Sequence, residues 1–145
     1  MIRKLEQKDK ENWVKLYYGY ANFYKVPMNK GILDTLWKWI HDEAHNVNGF
    51  CFELNGKIVG IAHYRTMPRP LKGKNIGFLD DLFVDPNFRG KKIAQKLINH
   101  LKSLSKANNW DGIRWITHSS NKNAKKLYDK IANNTGFELY ELKRD

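Results

Sequence analysis

The feature that most constrains this chain is a strand-like run that turns directly into a helix with a basic start. The run covers residues 79–84, and the helix after it begins behind Arg89, Lys91 and Lys92. The first backbone N–H groups of a helix have no partner inside it and carry the positive end of its dipole. The sequence therefore predicts an anion site, suited to phosphate, at residues 89–94.

Two blocks of sequence resemble motifs of the GNAT family of N-acetyltransferases. Residues 89–94, Arg-Gly-Lys-Lys-Ile-Ala, are similar to the family's Arg/Gln-x-x-Gly-x-Gly/Ala loop, with Lys92 in place of the usual central glycine. Residues 121–128 are similar to the family's Asn-x-x-Ala-x-x-Leu-Tyr helix. Two motifs in the expected order are a more specific signal than either alone. The resemblance covers roughly residues 1–141, and its specific part is the C-terminal half.

The resemblance implies that acetyl-CoA is the cosubstrate and that the loop amides hold its pyrophosphate. In the family, the fourth and fifth strands splay apart, and the pantetheine arm enters the gap like a short extra strand. The cofactor-binding residues implied in this way are Leu82, Phe83, Val84, Arg89, Gly90, Lys91, Lys92, Ile93, Ala94 and Asn121. Asn121 also fits the N-cap of the last helix.

Tyr128 stands where the family has its proton-donating tyrosine. A CoA thiol resembles cysteine, with a pKa of about 8.5, so a leaving thiolate benefits from a nearby hydroxyl. The helical spacing of Ala124, Leu127, Tyr128 and Ile131 also fits an ordinary core aromatic. Periodicity alone favours the core, and the motif match favours the catalytic role.

Asp80 and Asp81 are adjacent acids in an otherwise apolar strand, where burial of a charge needs pairing, hydration or a function. Alternation predicts that their side chains point to opposite faces of the sheet. Asp80 occupies the position of a glutamate that removes a proton in the polyamine branch of the family. For Asp80, a role as general base and a structural ion pair with a lysine are equally favoured. For Asp81, we expect the ion pair.

The pattern of elements predicts one domain over residues 1–145 with an α/β (α+β) fold. Together with the resemblance, it implies a mixed sheet of about six to seven strands with about four helices. Asn55-Gly56 is a strong hairpin signal between the second and third strands. The predicted segments, in order, are a strand at 1–5, helices at 9–24 and about 29–44, strands at 49–54 and 57–64, a loop at 67–74, a strand at 75–84, a helix, a strand at 112–118 and a last helix.

The net charge of +11 supports two classes of partner. A basic surface with aromatic residues is typical of nucleic-acid binding, which makes a nucleic-acid-binding module the first alternative. Here six basic residues and no acidic one lie between Phe88 and Trp110, beside the predicted phosphate site, so the anionic acetyl-CoA also accounts for the charge. A cationic acceptor would need local acids, such as Asp42, Glu43, Asp80 and Asp81, in its pocket.

The remaining features narrow the class of protein. Cys51 is the single cysteine, in an apolar run, and is expected to be a core residue in a reducing cytoplasm. No window is long enough to span a membrane. The five histidines lack metal-ligand spacing, and His63 and His118 are candidate pocket residues near strand ends. The aromatic-rich first helices are compatible with a homodimer without specifying one.

The sequence therefore favours an N-acetyltransferase that moves acetyl directly from acetyl-CoA to a primary amine, without a covalent enzyme intermediate or a metal. Four extra residues before Gly136 resemble the ending of the small-amine, polyamine and yeast histone acetyltransferase branch. The acceptor is then a small molecule or a lysine-like side chain, and its pocket lies on the first two helices and the 67–74 loop. A CoA-binding fold without catalysis is the second alternative.

Overall fold

The computed structural model describes residues 1–145 and consists of one five-stranded sheet with helices on both faces. The strands lie in chain order, β1 to β5, with antiparallel pairs up to β4 and a parallel pair between β4 and β5. The elements are β1 (Ile2–Lys4), α1 (Lys10–Phe23), α2 (Lys30–Ile40), β2 (Val47–Leu54), β3 (Lys57–Arg69), β4 (Lys74–Val84), α3 (Ile93–Ala107), β5 (Ile113–Trp115) and α4 (Lys122–Ile131). The α+β class and the four helices are confirmed. No helix is long and apolar enough to cross a membrane.

The predicted loop at 67–74 is wrong, because β3 and β4 continue as a hairpin as far as the Arg69–Lys74 pair. A short turn at Pro70–Lys72 closes it. Pro68 lies inside β3, where proline is usually excluded. It is tolerated because β2 pairs with β3 only as far as Arg65, so that the missing N–H of Pro68 costs no ladder bond on that side.

The predicted number of strands is also too high, since the structure has five rather than six or seven. The residues after α4 form no strand, and the last backbone hydrogen bond of the chain is donated by Ala132 to Tyr128. The predicted strand at 112–118 is reduced to Ile113–Trp115. The parallel pairing of β4 with β5 is correspondingly short and ends at Leu79 and Trp115.

Two hydrophobic clusters cover the two faces of the sheet. One packs α3 against Phe50, Val59 and Leu79, and the other packs α1 and α2 against Cys51 and Ile61. Cys51 is fully buried in the second cluster, as expected for a core residue. The two sets alternate along β2, where Phe50 and Phe52 face α3 and Cys51 faces α1 and α2.

Candidate active site

The predicted anion site is a run of unpaired amides at the start of α3. None of the N–H groups of residues 89–95 has an acceptor within the protein. Gly90 and Lys92 both have positive φ, of 82° and 59°, which turns successive amides toward one side. Arg89, Lys91 and Lys92 supply three full positive charges around the same run. This donor set fits a diphosphate, so the residues present suit the pyrophosphate of acetyl-CoA.

Lys92, at the position of the family's central glycine, adopts a left-handed conformation with φ 59° and ψ 26°. Glycine adopts this conformation without a steric cost. A residue with a Cβ in this region costs about 1 kcal/mol or more relative to glycine. Lysine at this position therefore adds some backbone strain relative to glycine, and it also adds a positive charge beside the free amides.

The gap between β4 and β5 follows directly from the register. β4 continues to Val84, but β5 stops pairing at Leu79, so residues 80–84 of β4 have no neighbour on that side. The amide of Asp85 donates to the carbonyl of Val59, at 2.8 Å. Because hydrogen-bonded pairs alternate in an antiparallel ladder, the main-chain groups of Leu82 and Val84 point away from β3 and into the gap.

Phe83 is placed differently from its two neighbours. The same alternation directs its main-chain groups toward Ile61 on β3, and its ring packs in the cluster with α1. The Arg89 guanidinium lies 5.6 Å from this ring, and its Nε donates to the Val84 carbonyl at 3.4 Å. Phe83 and Arg89 also line an open cavity of about 390 Å³ between α1 and the β4–α3 loop.

A β-bulge in β4 overturns the expectation that Asp80 and Asp81 face opposite sides. The register shifts here, since His63 pairs with Asp81 but Tyr64 pairs with Leu79. The Asp81 carboxylate contacts His63, and the Asp80 carboxylate contacts Arg65, two residues further along β3. Because residues two apart on a strand share a face, both carboxylates lie on the α1 face of the sheet.

Asp81 is part of a buried hydrogen-bond network, and the expected ion pair with a lysine is wrong. The indole N–H of Trp13 donates to His63 Nε2 at 2.9 Å, and His63 Nδ1 lies 2.8 Å from Asp81 Oδ2. The Tyr17 hydroxyl donates to the same Oδ2 at 2.9 Å. An indole nitrogen can only donate, so His63 accepts at Nε2 and carries its proton on Nδ1, toward Asp81. No lysine contacts either carboxylate. Asp80 pairs with Arg65, and Asp81 pairs with His63.

The two carboxylates are tuned in opposite directions. Burial raises the pKa of Asp80, and the nearby Asp81 charge adds to this, while Arg65 opposes it. Burial also acts to raise the pKa of Asp81, but the hydrogen bonds from His63 and Tyr17 outweigh it and hold that pKa below its usual value. Asp80 is therefore the better proton acceptor of the two, and Asp81 is a fixed negative charge.

Two tyrosines of α1 and Tyr24, directly after it, form a row that begins at Asp81. The rings of Tyr17 and Tyr20 are stacked 5.5 Å apart, and Tyr20 and Tyr24 follow at 4.8 Å. We call Tyr17, Tyr20 and Tyr24 the tyrosine row. The Tyr24 side chain is exposed, and Tyr17 and Tyr20 are half-buried. Sequence reasoning missed the row because aromatic residues at helical spacing fit a core equally well.

Tyr128 lies beside the point where β4 and β5 part. Its ring contacts Trp115, the last residue of β5 paired with β4, at 5.3 Å between centroids. Burial raises the pKa of its hydroxyl, and Tyr24 contributes to the same shift. No protein group hydrogen-bonds that hydroxyl, so its proton is available to another molecule.

The other predicted polar residues have structural partners. The Asn121 side chain caps α4 by accepting from the Ala124 amide at 3.3 Å, as expected for an N-cap. His118 accepts from the Ser120 amide in the turn before α4, and its Nδ1 lies 2.7 Å from the Ser120 hydroxyl. His63 is the histidine that the structure brings to the candidate site.

Comparison with known proteins identifies the family. Residues 11–132 match the Acetyltransferase (GNAT) family. The chain belongs to this family. It is an acetyl-CoA-dependent N-acetyltransferase, and two of its relatives are named as N-acetyltransferases.

Two curated relatives and two solved structures illustrate the range. The chain is 28% identical over 143 residues to the D-amino-acid N-acetyltransferase HPA3 of Saccharomyces cerevisiae, covering 97% of this chain and 89% of the relative. It is 29% identical over 93 residues to the glucosamine 6-phosphate N-acetyltransferase of Trypanosoma brucei brucei, covering 63% and 58%. The ribosomal-protein-alanine N-acetyltransferase of Brucella melitensis biovar Abortus 2308 shares the fold with a TM-score of 0.82, 22% identity and 99% coverage of both chains. AAC(6')-Iy, solved with a bisubstrate analogue of CoA, shares it with a TM-score of 0.85 and 18% identity over 100% of this chain and 98% of its own.

Proposed function

We propose that the protein transfers the acetyl group of acetyl-CoA directly to the primary amine of a small acceptor whose ammonium group binds at Asp80, Asp81 and the tyrosine row. The observation that carries this proposal is the β4 bulge. It turns both carboxylates to one face, next to the unpaired edge at Leu82 and Val84. An acyl donor lying along that edge and an amine at the carboxylates would then meet at one point.

The charge of the acceptor follows from the local electrostatics. The chain as a whole carries +11, which repels a cation at long range. Two adjacent carboxylates and three aromatic faces reverse this locally, because an ammonium group is attracted both to carboxylates and to the faces of tyrosine rings. The tyrosine row leads from the protein surface at Tyr24 to Asp81.

Asp80 would accept the proton that the amine must lose before it attacks. An alkyl ammonium has a pKa of about 10.4, so the neutral amine costs roughly 4 kcal/mol at neutral pH. Burial raises the pKa of Asp80 and thereby makes it a stronger base than an exposed aspartate. Its side chain is short, which favours transfer through one water molecule.

Tyr128 would supply a proton, or a hydrogen bond, to the leaving CoA thiolate. It packs with the cluster on the α3 face, whereas Asp81 and His63 contact α1 on the other face. The acid and the base therefore approach the gap from opposite sides of the sheet. The amine nitrogen forms the new bond to the acetyl carbon as the bond from that carbon to the thioester sulfur breaks, and no enzyme nucleophile is needed.

One further observation favours an acceptor that also carries a carboxylate. Arg65 uses only its Nε on Asp80, at 3.2 Å, and both terminal NH₂ groups of its guanidinium lack hydrogen-bond partners in the protein, while the guanidinium lies 5.0 Å from the Phe78 ring centroid. A free guanidinium fork matches a carboxylate. An α-amino acid would place its ammonium at Asp80 and its carboxylate at Arg65. The D-amino-acid specificity named for the yeast relative is of the same class.

The test is a screen of acceptors with the purified protein, in which CoA release is measured with a thiol reagent. The panel contains D- and L-amino acids, the matching amines without the carboxylate, glucosamine 6-phosphate and a polyamine. We expect turnover with small amines, and Arg65→Gln to raise KM for amino acids while leaving KM for the matching amines unchanged. If Arg65→Gln raises KM equally for the amino acids and for the matching amines, Arg65 does not recognise the carboxylate of the acceptor.

Calorimetric titration separates this function from the two alternatives. We expect acetyl-CoA to bind, and duplex DNA to bind only weakly and in a salt-dependent way. DNA binding without acetyl-CoA binding would overturn the proposal in favour of a nucleic-acid-binding module. Acetyl-CoA binding with no turnover across the whole panel would favour a fold that has lost catalysis.

A further inference from the structure

The hairpin of β3 and β4 extends past both of its neighbouring strands. β2 pairs with β3 only as far as Arg65, and β5 pairs with β4 only from Gly77, whereas the β3–β4 ladder continues to the Arg69–Lys74 pair. Residues 70–75 at its end are all exposed. We call residues 68–75 the hairpin tip. It is a two-stranded ribbon that projects from one end of the sheet.

A basic surface covers the hairpin tip and the last two turns of α3. We call it the basic end, and its residues are Arg69, Lys72, Lys74, Lys102 and Lys106. Asp111 joins the two parts, because its amide donates to the Asn75 carbonyl at 2.7 Å and its carboxylate accepts from Arg69 at 2.7 Å. The four lysines are exposed, and none of them has an ion-pair partner. Asp111 is therefore the one acid that offsets five positive charges.

Acetyl-CoA bound at the free amides of residues 89–95 would not neutralise these charges, because the amides lie at the other end of the sheet. β4 runs from Lys74 to Val84 and, at about 3.3 Å per residue, spans roughly 33 Å. α3 runs from the amides to Ala107 and, at about 1.5 Å per residue, spans roughly 22 Å. Both lengths exceed the Debye length of about 8 Å at physiological ionic strength. The basic end is therefore free to bind an anionic partner of its own.

We propose that the basic end binds duplex DNA, with the hairpin tip in the major groove and the lysines against the phosphates. Two paired strands lie about 4.8 Å apart, and the major groove of B-DNA, about 12 Å wide, admits a two-stranded β-ribbon. Leu71, at the turn, is 94% exposed and contacts base edges in this arrangement. Thymine presents a methyl group there, which suits an apolar side chain. The lysine contacts with phosphates are independent of base sequence.

The shape and charge of the basic end favour duplex DNA over other polyanions. The major groove of duplex RNA is deep and too narrow for side chains to read. Binding to a membrane surface scales with the apolar area that is buried, and Leu71 is the only large apolar side chain exposed in the hairpin tip. Asp42 and Glu43 lie in the turn after α2, which covers the other face of the sheet, and they repel phosphates there. The duplex therefore lies on the α3 side.

The first measurement is the fluorescence anisotropy of a short labelled DNA duplex, titrated with the protein at several salt concentrations. We expect a Kd of roughly 10⁻⁴–10⁻⁶ M at physiological salt and, for five phosphate contacts, a slope of log K against log salt of about −4.5. Lys72→Gln with Lys74→Gln should weaken binding and reduce the slope by about 2. The control, Lys38→Gln with Lys57→Gln, removes the same net charge at two exposed lysines outside the basic end and should leave the slope unchanged. If both pairs of substitutions have the same effect, net charge alone drives binding and the proposal is wrong.

Further arms of the same assay test the groove and the partner. Leu71→Gln should weaken binding without changing the slope, because Leu71 contacts no phosphate, and an unchanged affinity would overturn the placement of the tip in the groove. Saturating acetyl-CoA should leave the affinity for DNA unchanged, whereas displacement of the DNA would place it at residues 89–95 and overturn the proposal. Duplex RNA, polyglutamate or phosphatidylserine vesicles bound as tightly as DNA would also overturn it. Circular dichroism checks that each variant is folded. None of these measurements depends on acetyl transfer, so the DNA proposal and the proposed function can fail independently.

Discussion

Removal of the His63 imidazole should destabilise the protein more than an ordinary core substitution of similar size. His63→Leu leaves the indole N–H of Trp13 without an acceptor inside the core, which costs about 1–3 kcal/mol. It also removes one of the two side-chain donors to Asp81 Oδ2, a charge-assisted hydrogen bond worth about 1.5–3 kcal/mol. The free energy of unfolding should therefore fall by about 3–5 kcal/mol, a large part of the total of about 5–15 kcal/mol for a typical domain.

A double-mutant cycle with Trp13→Phe isolates the hydrogen bond from the change in packing. In the natural chain, Trp13→Phe removes the donor and leaves His63 Nε2 unpaired in the core. In the His63→Leu background, the same substitution removes an orphaned donor and so relieves part of the damage. The double variant should be more stable than the sum of the single effects predicts, by about 1–3 kcal/mol.

Urea unfolding followed by circular dichroism is the suitable assay, because Trp13→Phe changes the fluorescence. The matched control is Tyr64→Phe, a substitution on β3 at a hydroxyl that has no hydrogen-bond partner. It should show no coupling to Trp13→Phe. If His63→Leu and Trp13→Phe are additive within about 0.5 kcal/mol, the hydrogen bond between these residues does not contribute to stability and the reasoning fails.

Three other predictions test the loop, the base and the acid. Lys92→Gly should raise the free energy of unfolding by up to about 1 kcal/mol, because glycine adopts the positive φ without strain, and urea unfolding measures this; a loss of stability would contradict it. Burial raises the pKa of Asp80 above its unfolded value of 3.8, so protonated Asp80 favours the folded state. This contribution to the free energy of unfolding is fully present below pH 3.8 and is lost as the pH rises through the folded pKa. Asp80→Asn should therefore raise the melting temperature near pH 7 and not near pH 3, and an equal gain at both values would assign the effect to packing. Tyr128→Phe should lower kcat about 100-fold while calorimetry shows unchanged acetyl-CoA binding, and unchanged turnover would remove Tyr128 from the chemistry.

The anion loop and the last helix could be predicted because their signals are local. Free amides at a helix start and an Asn N-cap depend on a few consecutive residues, and both are present in the structure. At Lys92, where the motif differs, the backbone adopts a left-handed conformation in spite of the side chain.

The arrangement of the acids could not be predicted, because it depends on the register between two strands. Strict alternation placed Asp80 and Asp81 on opposite faces, and the single extra residue of the bulge puts them on one face. The partners of Asp81 are equally non-local, since Trp13 and Tyr17 come from α1 and His63 from β3. A list of nearby lysines in the sequence carries no information about such contacts.

On the proposed function, the bulge places two carboxylates where a strongly basic protein can bind an ammonium group. The positive charges that would bind acetyl-CoA lie after β4, at Arg89, Lys91 and Lys92, whereas the two carboxylates lie within β4. With a Debye length of about 8 Å at physiological ionic strength, exposed charges farther apart than this are largely screened from one another. On the proposed function, the edge of β4 at residues 80–84 would lie between the anionic acetyl-CoA and the amine at the carboxylates.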